Sequence, residues 1–400
     1  MTAQVLLRPL KIYLVAGEES GDALGGVLAG ALTAHYGDSL ELSGVGGRAM
    51  AAAGIASPFP IDDLSIVGLS AIPRRLPTIL RRIRETADAV VAAQPDALVI
   101  IDSPDFTHRV ARRVRRLAPS IPIIDYVSPT VWAWRPGRAR AMRSYIDCVL
   151  AILPFEPAAH ARLGGPPCVY VGHPLIERIA ELRPNAEEAE RRRSRPPIVL
   201  VLPGSRSTEI HHLLGIFGGA LERAAARAGP FDLVLPTLPH LLARVKAATA
   251  AWSLKPRIMV GPAEKWSAFR MARAALAASG TVTLELALAG IPTVAAYRLS
   301  LVEEVVLRLA TRRASRPHSV ILANLVIGEN VMPELLQRAC TPQALADALV
   351  PLIGATPHRQ RQLEAFERLD GIMAIGGVAP SAKAAALVGE IAERRRAGST

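Results

Sequence analysis

Short apolar runs alternate along this chain with longer segments in which apolar residues recur at helical spacing. Apolar runs bounded by Gly, Pro and polar residues predict β-strands, and the segments between them predict helices. Most runs are apolar at nearly every position, which is typical of parallel strands covered on both faces. The predicted strands are Lys11–Gly17, Glu41–Val45, Ala97–Ile101, Ile121–Val127, Cys148–Leu153, Ile198–Leu202, Phe231–Leu235, Arg257–Val260, Ala274–Ala278 and Pro292–Tyr297.

This alternation of strands and helices occurs twice, so two domains are predicted. A polar stretch rich in Arg and Glu follows Val171–Pro174 and runs to Arg195–Pro197, where we place the linker. The predicted fold class is α/β, with two Rossmann-like lobes facing each other across a cleft, which is the glycosyltransferase B architecture. The predicted domains are 1–175, 176–365 and a helical tail, 366–400, that returns to the first lobe.

Composition narrows the functional classes only in part. The formal net charge of +12 comes mostly from arginine and predicts an anionic partner: nucleic acid, a phosphorylated metabolite or an acidic membrane surface. Three cysteines without C-x-x-C spacing argue against a disulfide framework or a structural zinc site. The first apolar run is followed at once by Glu18, Glu19 and Asp22, so we interpret it as a strand and not a signal peptide. Any membrane contact is expected to be peripheral, because the later apolar stretches fall short of the roughly 20 residues that span a bilayer.

The turn after the first strand is a candidate ligand loop. Gly17–Asp22 precedes a helix predicted at Ala23–Ala34, and glycines with exposed N–H groups at a helix start can hold an anion or a hydroxyl. Ser20 and Asp22 could equally be helix caps.

Two carboxylates, Asp102 and Asp105, lie just past the buried strand at 97–101. A desolvated carboxylate there can take a proton from an acceptor hydroxyl. We expect one of them to cap the helix that begins near Phe106. We assign the catalytic base to Asp102, because it lies nearer the strand end.

Gly204, Ser205 and Arg206 follow the first strand of the second lobe and precede a helix predicted to start near Thr208. A glycine turn, a hydroxyl and a guanidinium at a helix start suit a diphosphate, with backbone N–H groups as its cradle. The alternative is a surface arginine with no role.

A second strand-to-helix junction in this lobe contains Ser279, Gly280 and Thr281. Glu285, shortly after it, is placed to accept hydrogen bonds from ribose hydroxyls. Alternatively, it is a first-turn glutamate that the helix dipole favours.

Aromatic residues concentrate in Tyr126–Arg135, which contains Trp132 and Trp134. This loop could line an acyl or sugar pocket, although ordinary packing is the default interpretation. For His173, burial in the core is favoured over a role as a hydrogen-bond partner behind a site.

Basic clusters occur at Arg74–Arg84, Arg109–Arg116 and Arg308–Arg316. Such clusters are usually solvated helix faces. The first, however, follows the apolar stretch Leu64–Leu69, and an apolar patch rimmed by arginine is typical of an enzyme that works at a membrane surface. The clusters lack the interleaved aromatic residues of an RNA-binding surface, so no nucleic-acid partner is expected.

Taken in order, ten motifs resemble the lipid-A-disaccharide synthase family from Tyr13 to about Ala348. They are AGEESGDALG, GVGGRAM, LSIVGL, IDSPDF, YVSPTVWAWR, LPFE, VGHPL, LPGSR, SGTVTLE and PELLQ. The resemblance implies an inverting glycosyltransferase that transfers 2,3-diacylglucosamine from UDP to 2,3-diacylglucosamine 1-phosphate and forms a β-1,6 link. It implies no metal or cofactor, and a cytoplasmic enzyme held peripherally on the inner face of the inner membrane.

The resemblance also implies residue roles. Asp102 in IDSPDF matches the proposed base, and Glu18 and Ser20 match active-site residues of the first loop. Ala323 stands where the family usually has Pro, so the backbone before the following Asn is less restricted here than in the family. The residues that match donor-side groups are Arg206, Asn324, Glu334 and Gln337.

Other functions stay open on the residues alone. The same architecture serves other UDP-N-acetylglucosamine enzymes, either a peptidoglycan glycosyltransferase or a 2-epimerase, which would not depend on acyl chains. A basic, non-enzymatic protein that binds RNA or membrane is supported only by net charge. The expected partners are a UDP-diacylglucosamine donor, a phosphorylated acylglucosamine acceptor and an anionic membrane surface, and the sequence leaves a homodimer open.

Overall fold

The computed structural model describes residues 8–64, 72–133, 135–299 and 319–397. The chain forms two compact units: the first contains the chain up to Ile176 and again from Ile375, and the second spans Glu177–Ala374. The returning segment thus begins at Ile375 and not at residue 366, because the helix over 357–372 packs within the second unit.

The first unit is built on six parallel strands in the order β2-β1-β3-β4-β5-β6. The strands are β1 (Leu10–Ala16), β2 (Leu40–Val45), β3 (Ala97–Ile101), β4 (Ile123–Tyr126), β5 (Cys148–Ala151) and β6 (Cys168–Tyr170). The helices between them are α1 (Glu19–Tyr36), α2 (Arg48–Ala52), α3 (Ile72–Ala93), α4 (Thr107–Leu117), α5 (Gly137–Met142) and α6 (Glu156–Leu163).

The second unit is built on six parallel strands in the order β12-β11-β10-β7-β8-β9. The strands are β7 (Ile198–Leu202), β8 (Asp232–Thr237), β9 (Arg257–Val260), β10 (Ala274–Ala278), β11 (Thr293–Tyr297) and β12 (Glu334–Leu336). The described helices are α7 (Ile179–Leu182), α8 (Ala186–Arg193), α9 (Ser207–Ala228), α10 (Leu242–Thr249), α11 (Pro262–Met271), α12 (Val282–Leu288), α13 (Leu322–Ile327), α14 (Pro342–Ile353) and α15 (Pro357–Ile372).

The predicted parallel α/β fold is confirmed, and each of the ten predicted strands overlaps an observed one. The sequence analysis missed β6 and β12, which have three residues each and lie at sheet edges. Runs this short carry too little periodicity to stand out from a loop. The first helix begins at Glu19 and not at Ala23, so Ser20 and Asp22 lie inside its first turn.

In each sheet there is one place where the connections that follow two neighbouring strands run in opposite directions along the sheet. In the first sheet β1 lies between β2 and β3, and in the second β7 lies between β8 and β10. In open parallel sheets such a switch point leaves a crevice at the carboxyl ends of the two strands, where ligands bind. These two positions are therefore where functional side chains are expected.

The first sheet is covered on both faces. The buried face of α4 presents Val110, Ala111 and Val114 to one side of the sheet. The last helix, α16 (Pro380–Ala397), packs against α1, β1 and β3 on the other side, where Ala384 and Val388 join the core. None of the described helices is long and apolar enough to cross a bilayer.

His173 follows β6 and lies in the core, as favoured from the sequence, with 6% of its surface exposed. Its Nδ1 accepts a hydrogen bond from Leu175 N at 3.1 Å. Burial lowers the pKa of His173 from 6.5 to about 4, because the charged imidazolium is not solvated there. The folded chain therefore keeps this ring neutral at a pH where the unfolded chain protonates it.

This difference makes stability depend on pH. Because the folded-state pKa is depressed, the contribution is present above pH 6.5 and is lost as the pH falls towards 4. In His173→Asn, whose side-chain oxygen can replace Nδ1 as acceptor, the loss of unfolding free energy between pH 7 and pH 5 should be about 2 kcal/mol smaller than in the wild type. Denaturant titration measures it, with exposed His240→Asn as control. An unchanged pH dependence in His173→Asn would contradict the assignment.

Candidate active site

The loops that follow β1 and β3 meet at the switch point of the first sheet. Ser20 Oγ donates a hydrogen bond to Asp102 Oδ2 at 2.9 Å, and Ser103 Oγ donates to Glu18 Oε1 at 3.2 Å. The structure thus brings together the three residues predicted as catalytic, Glu18, Ser20 and Asp102. Ser103, which the sequence analysis did not select, is the fourth residue of this cluster.

Glycines allow these two loops to approach each other. A Cβ atom on Gly21 would lie 2.9 Å from Ile101 O, and one on Gly17 would lie 2.8 Å from Ser103 Oγ. Asp102 and Ser103 also have positive φ angles, 52° and 45°. Such left-handed backbone is unfavourable for residues with a Cβ and clusters at functional sites.

Neither Asp102 nor Asp105 caps α4, so that prediction is wrong. The first residue of the helix, Thr107, instead turns its own hydroxyl back to Asp102 O at 2.7 Å, and the helix has no side-chain cap. Asp105 points to solvent with 88% of its side chain exposed and lies 3.6 Å from Arg138. Asp102 is partly buried and held by Ser20, which fits a base better than the solvated Asp105 does.

Asp22 has a structural task. Its buried carboxylate accepts hydrogen bonds from Gly47 N, Ala49 N and Met50 N at 2.6 to 3.0 Å. These are the N–H groups at the start of α2, so Asp22 caps α2 and not its own helix. The loop after β2 is thereby fixed to the active-site helix α1.

In the second unit, Gly204–Arg206 forms the turn after β7, at the switch point. The backbone N–H groups of Ser205 and Arg206 donate to Glu209 Oε2 at 2.9 and 3.1 Å. In this structure a carboxylate of the same chain holds these N–H groups, so the diphosphate cradle stays a prediction that requires Glu209 to release them. Glu209 stands at the third position of α9, but Arg206 is not the Ser or Thr of a capping box, so the local sequence did not predict this contact.

Arg206 remains accessible. Its side chain is 75% exposed, and its Nη1 lies 3.2 Å from Glu209 Oε1. Gly204 has φ 109°, and a Cβ there would collide with the Glu209 carboxylate. Gly204 therefore permits the turn that presents Arg206 to solvent.

The turn of Ser279, Gly280 and Thr281 follows β10, the strand beside β7. Ser279 N donates to Ala296 O at 2.8 Å, and Gly280 and Thr281 are exposed. Glu285 forms an ion pair with Lys265 at 2.6 Å, and Lys265 also lies over the ring of Trp266. Lys265 is thus a charged neighbour of Glu285, which is predicted to accept hydrogen bonds from ribose. The sequence analysis did not identify Lys265.

Asn324 does not offer a polar group to a ligand in this structure. It is fully buried, its Oδ1 accepts from Val331 N and Met332 N, and its Nδ2 donates to Met332 O. Asn324 thus fixes the loop between α13 and β12, and the donor-side role implied by the resemblance stays a prediction. Ala323 before it is also buried and lies inside α13.

Glu334 and Gln337 bind backbone. Glu334 Oε1 accepts from Val320 N at 2.8 Å, and Gln337 Oε1 accepts from Leu299 N at 3.0 Å. Both side chains are partly exposed. Gln337 thereby binds the chain just after β11, and Glu334 binds it just before α13.

Trp132 packs in the first unit, as the default interpretation expected. Its ring meets Phe155 edge-on, and its Nε1 donates to Glu156 Oε1 at 3.3 Å. Burial raises the pKa of Glu156 to about 7. Trp134, residues 65–69 of the apolar stretch and the cluster at 308–316 lie outside the described residues.

The sequence matches the family model for lipid-A-disaccharide synthetase over residues 12–372. It is 60% identical over 378 residues to a lipid-A-disaccharide synthase of Nitrobacter hamburgensis, covering 94% of each chain. It is also 60% identical to that of Bradyrhizobium diazoefficiens, covering 94% of this chain and 95% of the relative.

Solved structures support the fold. A glycosyltransferase from Rickettsia africae matches with a TM-score of 0.59 and 14% identity, over 96% of this chain and 99% of that one. MurG of Acinetobacter baumannii matches with a TM-score of 0.58 and 16% identity, over 96% and 100%. A UDP-GlcNAc 2-epimerase from Neisseria meningitidis matches with a TM-score of 0.57 and 10% identity, over the same shares. These likenesses show the glycosyltransferase B fold alone, whereas the family model and the 60% identical relatives show that this chain belongs to the lipid-A-disaccharide synthase family.

Proposed function

We propose that this chain transfers 2,3-diacylglucosamine from its UDP derivative to 2,3-diacylglucosamine 1-phosphate, forming the β-1,6-linked disaccharide 1-phosphate and UDP. The family match over most of the chain supports the overall reaction. The observation that carries the chemistry is the hydrogen bond of Ser20 Oγ to Asp102 Oδ2 at the switch point of the first sheet. It orients a carboxylate at the edge where ligands bind in parallel sheets.

Asp102 acts as the general base. Ser20 donates a hydrogen bond to Oδ2, and we assign acceptance of the proton to Oδ1. As the 6-hydroxyl oxygen attacks C1 of the donor sugar, its proton passes to Asp102 and the C1–O bond to UDP breaks. The attack comes from the side opposite the leaving group, so the anomeric centre is inverted without a covalent enzyme intermediate.

Arg206 stabilises the departing diphosphate. Its guanidinium stands exposed after β7, and β10, the strand that precedes the turn of Ser279–Thr281, is paired with β7. A planar guanidinium can donate two parallel hydrogen bonds to phosphate oxygens, and its charge offsets the negative charge that develops on UDP. We assign Ser279–Thr281 and Glu285 to the uridine-ribose part of the same donor site.

Release of UDP from diacylated and non-acylated donors tests the reaction. The wild type should depend on acyl chains, whereas an epimerase or a peptidoglycan glycosyltransferase should not. Asp102→Asn should lower kcat by roughly 10²–10⁴-fold with little change in donor binding, because the amide cannot accept the proton.

Asp105→Asn is the comparison for this experiment and should retain at least about ten times the turnover of Asp102→Asn. Asp38→Asn, exposed at the end of α1, is the neutral control. Near-normal turnover in Asp102→Asn would remove the base assignment, and acyl-independent turnover by the wild type would remove the proposed function.

Arg206→Ala should weaken UDP binding by about 10–100-fold, since hydrogen bonds to charged groups contribute roughly 1.5–3 kcal/mol. Arg206→Lys should restore part of the affinity, because it returns the charge without the planar fork. Calorimetric titration with UDP measures both, with Arg223→Ala farther along α9 as control. Unchanged affinity in Arg206→Ala would show that the diphosphate binds elsewhere.

We propose that the enzyme binds peripherally to the cytoplasmic face of the inner membrane. On α3, Leu76 and Leu80 are exposed one helical turn apart, next to the exposed Arg81 and Arg84. Apolar side chains rimmed by arginine suit the interface of an anionic bilayer. Docking at the membrane also keeps the acyl chains of the substrates out of water. Their exposure to water would cost about 0.8 kcal/mol per methylene.

Replacing Leu76 and Leu80 with Asp should release the protein from vesicles that contain anionic lipid. Binding of the wild type should fall as salt rises, because screening weakens the arginine contribution. Co-sedimentation measures both effects, and Leu238→Asp, an equally exposed leucine of the second unit, is the control. Equal sedimentation of the double variant would place the contact on another surface.

A further inference from the structure

The connections after β3 and β4 form a pocket to which the proposed mechanism assigns no role. It has a volume of about 340 Å³ and lies between the starts of α4 and α5, within the first unit. Its ionisable lining residues are Asp105, His108, Arg109, Arg112, Arg135 and Arg138. The connection that carries Asp105 also carries Asp102, so the pocket and the proposed base share one loop.

The pocket is strongly cationic. Four guanidinium groups and one carboxylate line it, which gives a formal charge of four minus one, or +3, without counting His108. Asp105 lies 3.6 Å from Arg138, but its side chain is mostly solvated, so water screens this pair and Asp105 compensates little of the charge. Cations that converge repel one another unless an anion lies between them. The lining therefore favours an anionic ligand and disfavours a cation.

Buried groups hold one of these arginines in position. Asp125 Oδ2 lies 3.2 Å from His108 Nε2, and the other ring nitrogen of His108 lies 3.1 Å from the hydroxyl of Tyr145. That hydroxyl accepts a hydrogen bond from Arg112 Nη2 at 3.1 Å, and the Arg112 guanidinium lies 4.7 Å from the centre of the Tyr145 ring. Asp125, His108 and Tyr145 are all buried. The core thus orients the Arg112 guanidinium at the pocket.

The backbone around the pocket is also unusual. Arg135 has φ 52°, and Val127, at the start of the same connection, has φ 81°. Residues with a Cβ rarely adopt these angles, least of all β-branched ones, and they persist mainly at functional sites. The pocket volume is at the lower end of small-molecule sites, which suits a phosphate together with part of the group that carries it.

We propose that Arg109, Arg112, Arg135 and Arg138 bind the phosphate monoester of a sugar phosphate. Planar guanidinium groups pair with phosphate oxygens in a bidentate manner, and a dianion satisfies several of them at once. Identification of this group as the 1-phosphate of the acceptor rests on the proposed function. The same pocket would then place the acceptor in the unit that contains Asp102.

Binding of glucosamine 1-phosphate to the full-length chain tests the pocket without catalysis. By calorimetry, the Kd should rise about 10–100-fold in Arg109→Ala/Arg112→Ala and at least as much in the single, exposed Arg109→Glu. Arg116→Ala, on the same helix but outside the pocket, should bind like the wild type. UDP affinity should be unchanged in the pocket variants. Their circular dichroism melting should stay cooperative, which shows that they remain folded, with a small drop in Tm where Arg112→Ala removes the hydrogen bond to Tyr145.

Further probes identify the source of the phosphate. Glucosamine without phosphate should not bind, and vesicles containing phosphatidic acid should bind the variants and the wild type equally. The proposal is overturned if glucosamine 1-phosphate binds the folded variants as tightly as the wild type, or does not bind the wild type. It is also overturned if the variants lose only binding to phosphatidic acid, since the ligand is then a lipid headgroup.

Kinetics separate this proposal from the proposed function. With the phosphorylated acceptor, the pocket variants should raise KM more than they lower kcat, because the phosphate binds equally in ground state and transition state. If the wild type releases no UDP with any acylated donor, the proposed function fails while the glucosamine 1-phosphate measurement still decides the pocket.

Discussion

Strand order in the two parallel sheets constrains where this protein can place polar chemistry. Helices cover both faces of each sheet, and the strand interiors are apolar apart from a few residues such as Asp125 of β4, so a charged group there is buried away from solvent. Only the strand ends escape this cost. At β1/β3 and β7/β10 the connections leave in opposite directions, and the crevices there contain Asp102 and Arg206.

Close approach of two loops at the first of these points has its own requirements. Gly17 and Gly21 remove the Cβ atoms that would strike the β3 connection, and Asp102 and Ser103 adopt left-handed backbone. Asp22 contributes from the same helix by capping α2. Gly17 and Gly21 therefore meet the steric demands of the GEESGD turn. Of its polar residues, Asp22 serves the fold, and Glu18 and Ser20 are proposed to serve catalysis.

Arginine has two distinct uses in this chain, which the net charge of +12 does not separate. Arg192 and Arg359 are largely buried and donate to backbone carbonyls, Arg192 to Phe269 O and Ala289 O and Arg359 to Arg273 O and Leu352 O. Burial lowers the pKa of Arg192 to about 10 and that of Arg359 to about 9, and both remain charged at neutral pH. Their hydrogen bonds connect the ends of helices and strands within the second unit. Arg109, Arg112 and Arg206 instead present guanidinium groups to solvent, where an anion can reach them.

The sequence alone determined the parallel α/β class, ten of the strands and the family, because apolar runs and ordered motifs are local signals. It also placed Asp102 at a strand end. Only the tertiary structure decided what each polar side chain contacts: Glu209 holds the N–H groups reserved for a diphosphate, Asn324 is buried, and neither aspartate after β3 caps α4. The pocket of Arg109, Arg112, Arg135 and Arg138 joins residues from two connections, and its support, Asp125, lies on a strand between them. Such contacts depend on which strands are neighbours in the sheet, and that pairing is set by packing between distant segments, not by local residue pattern.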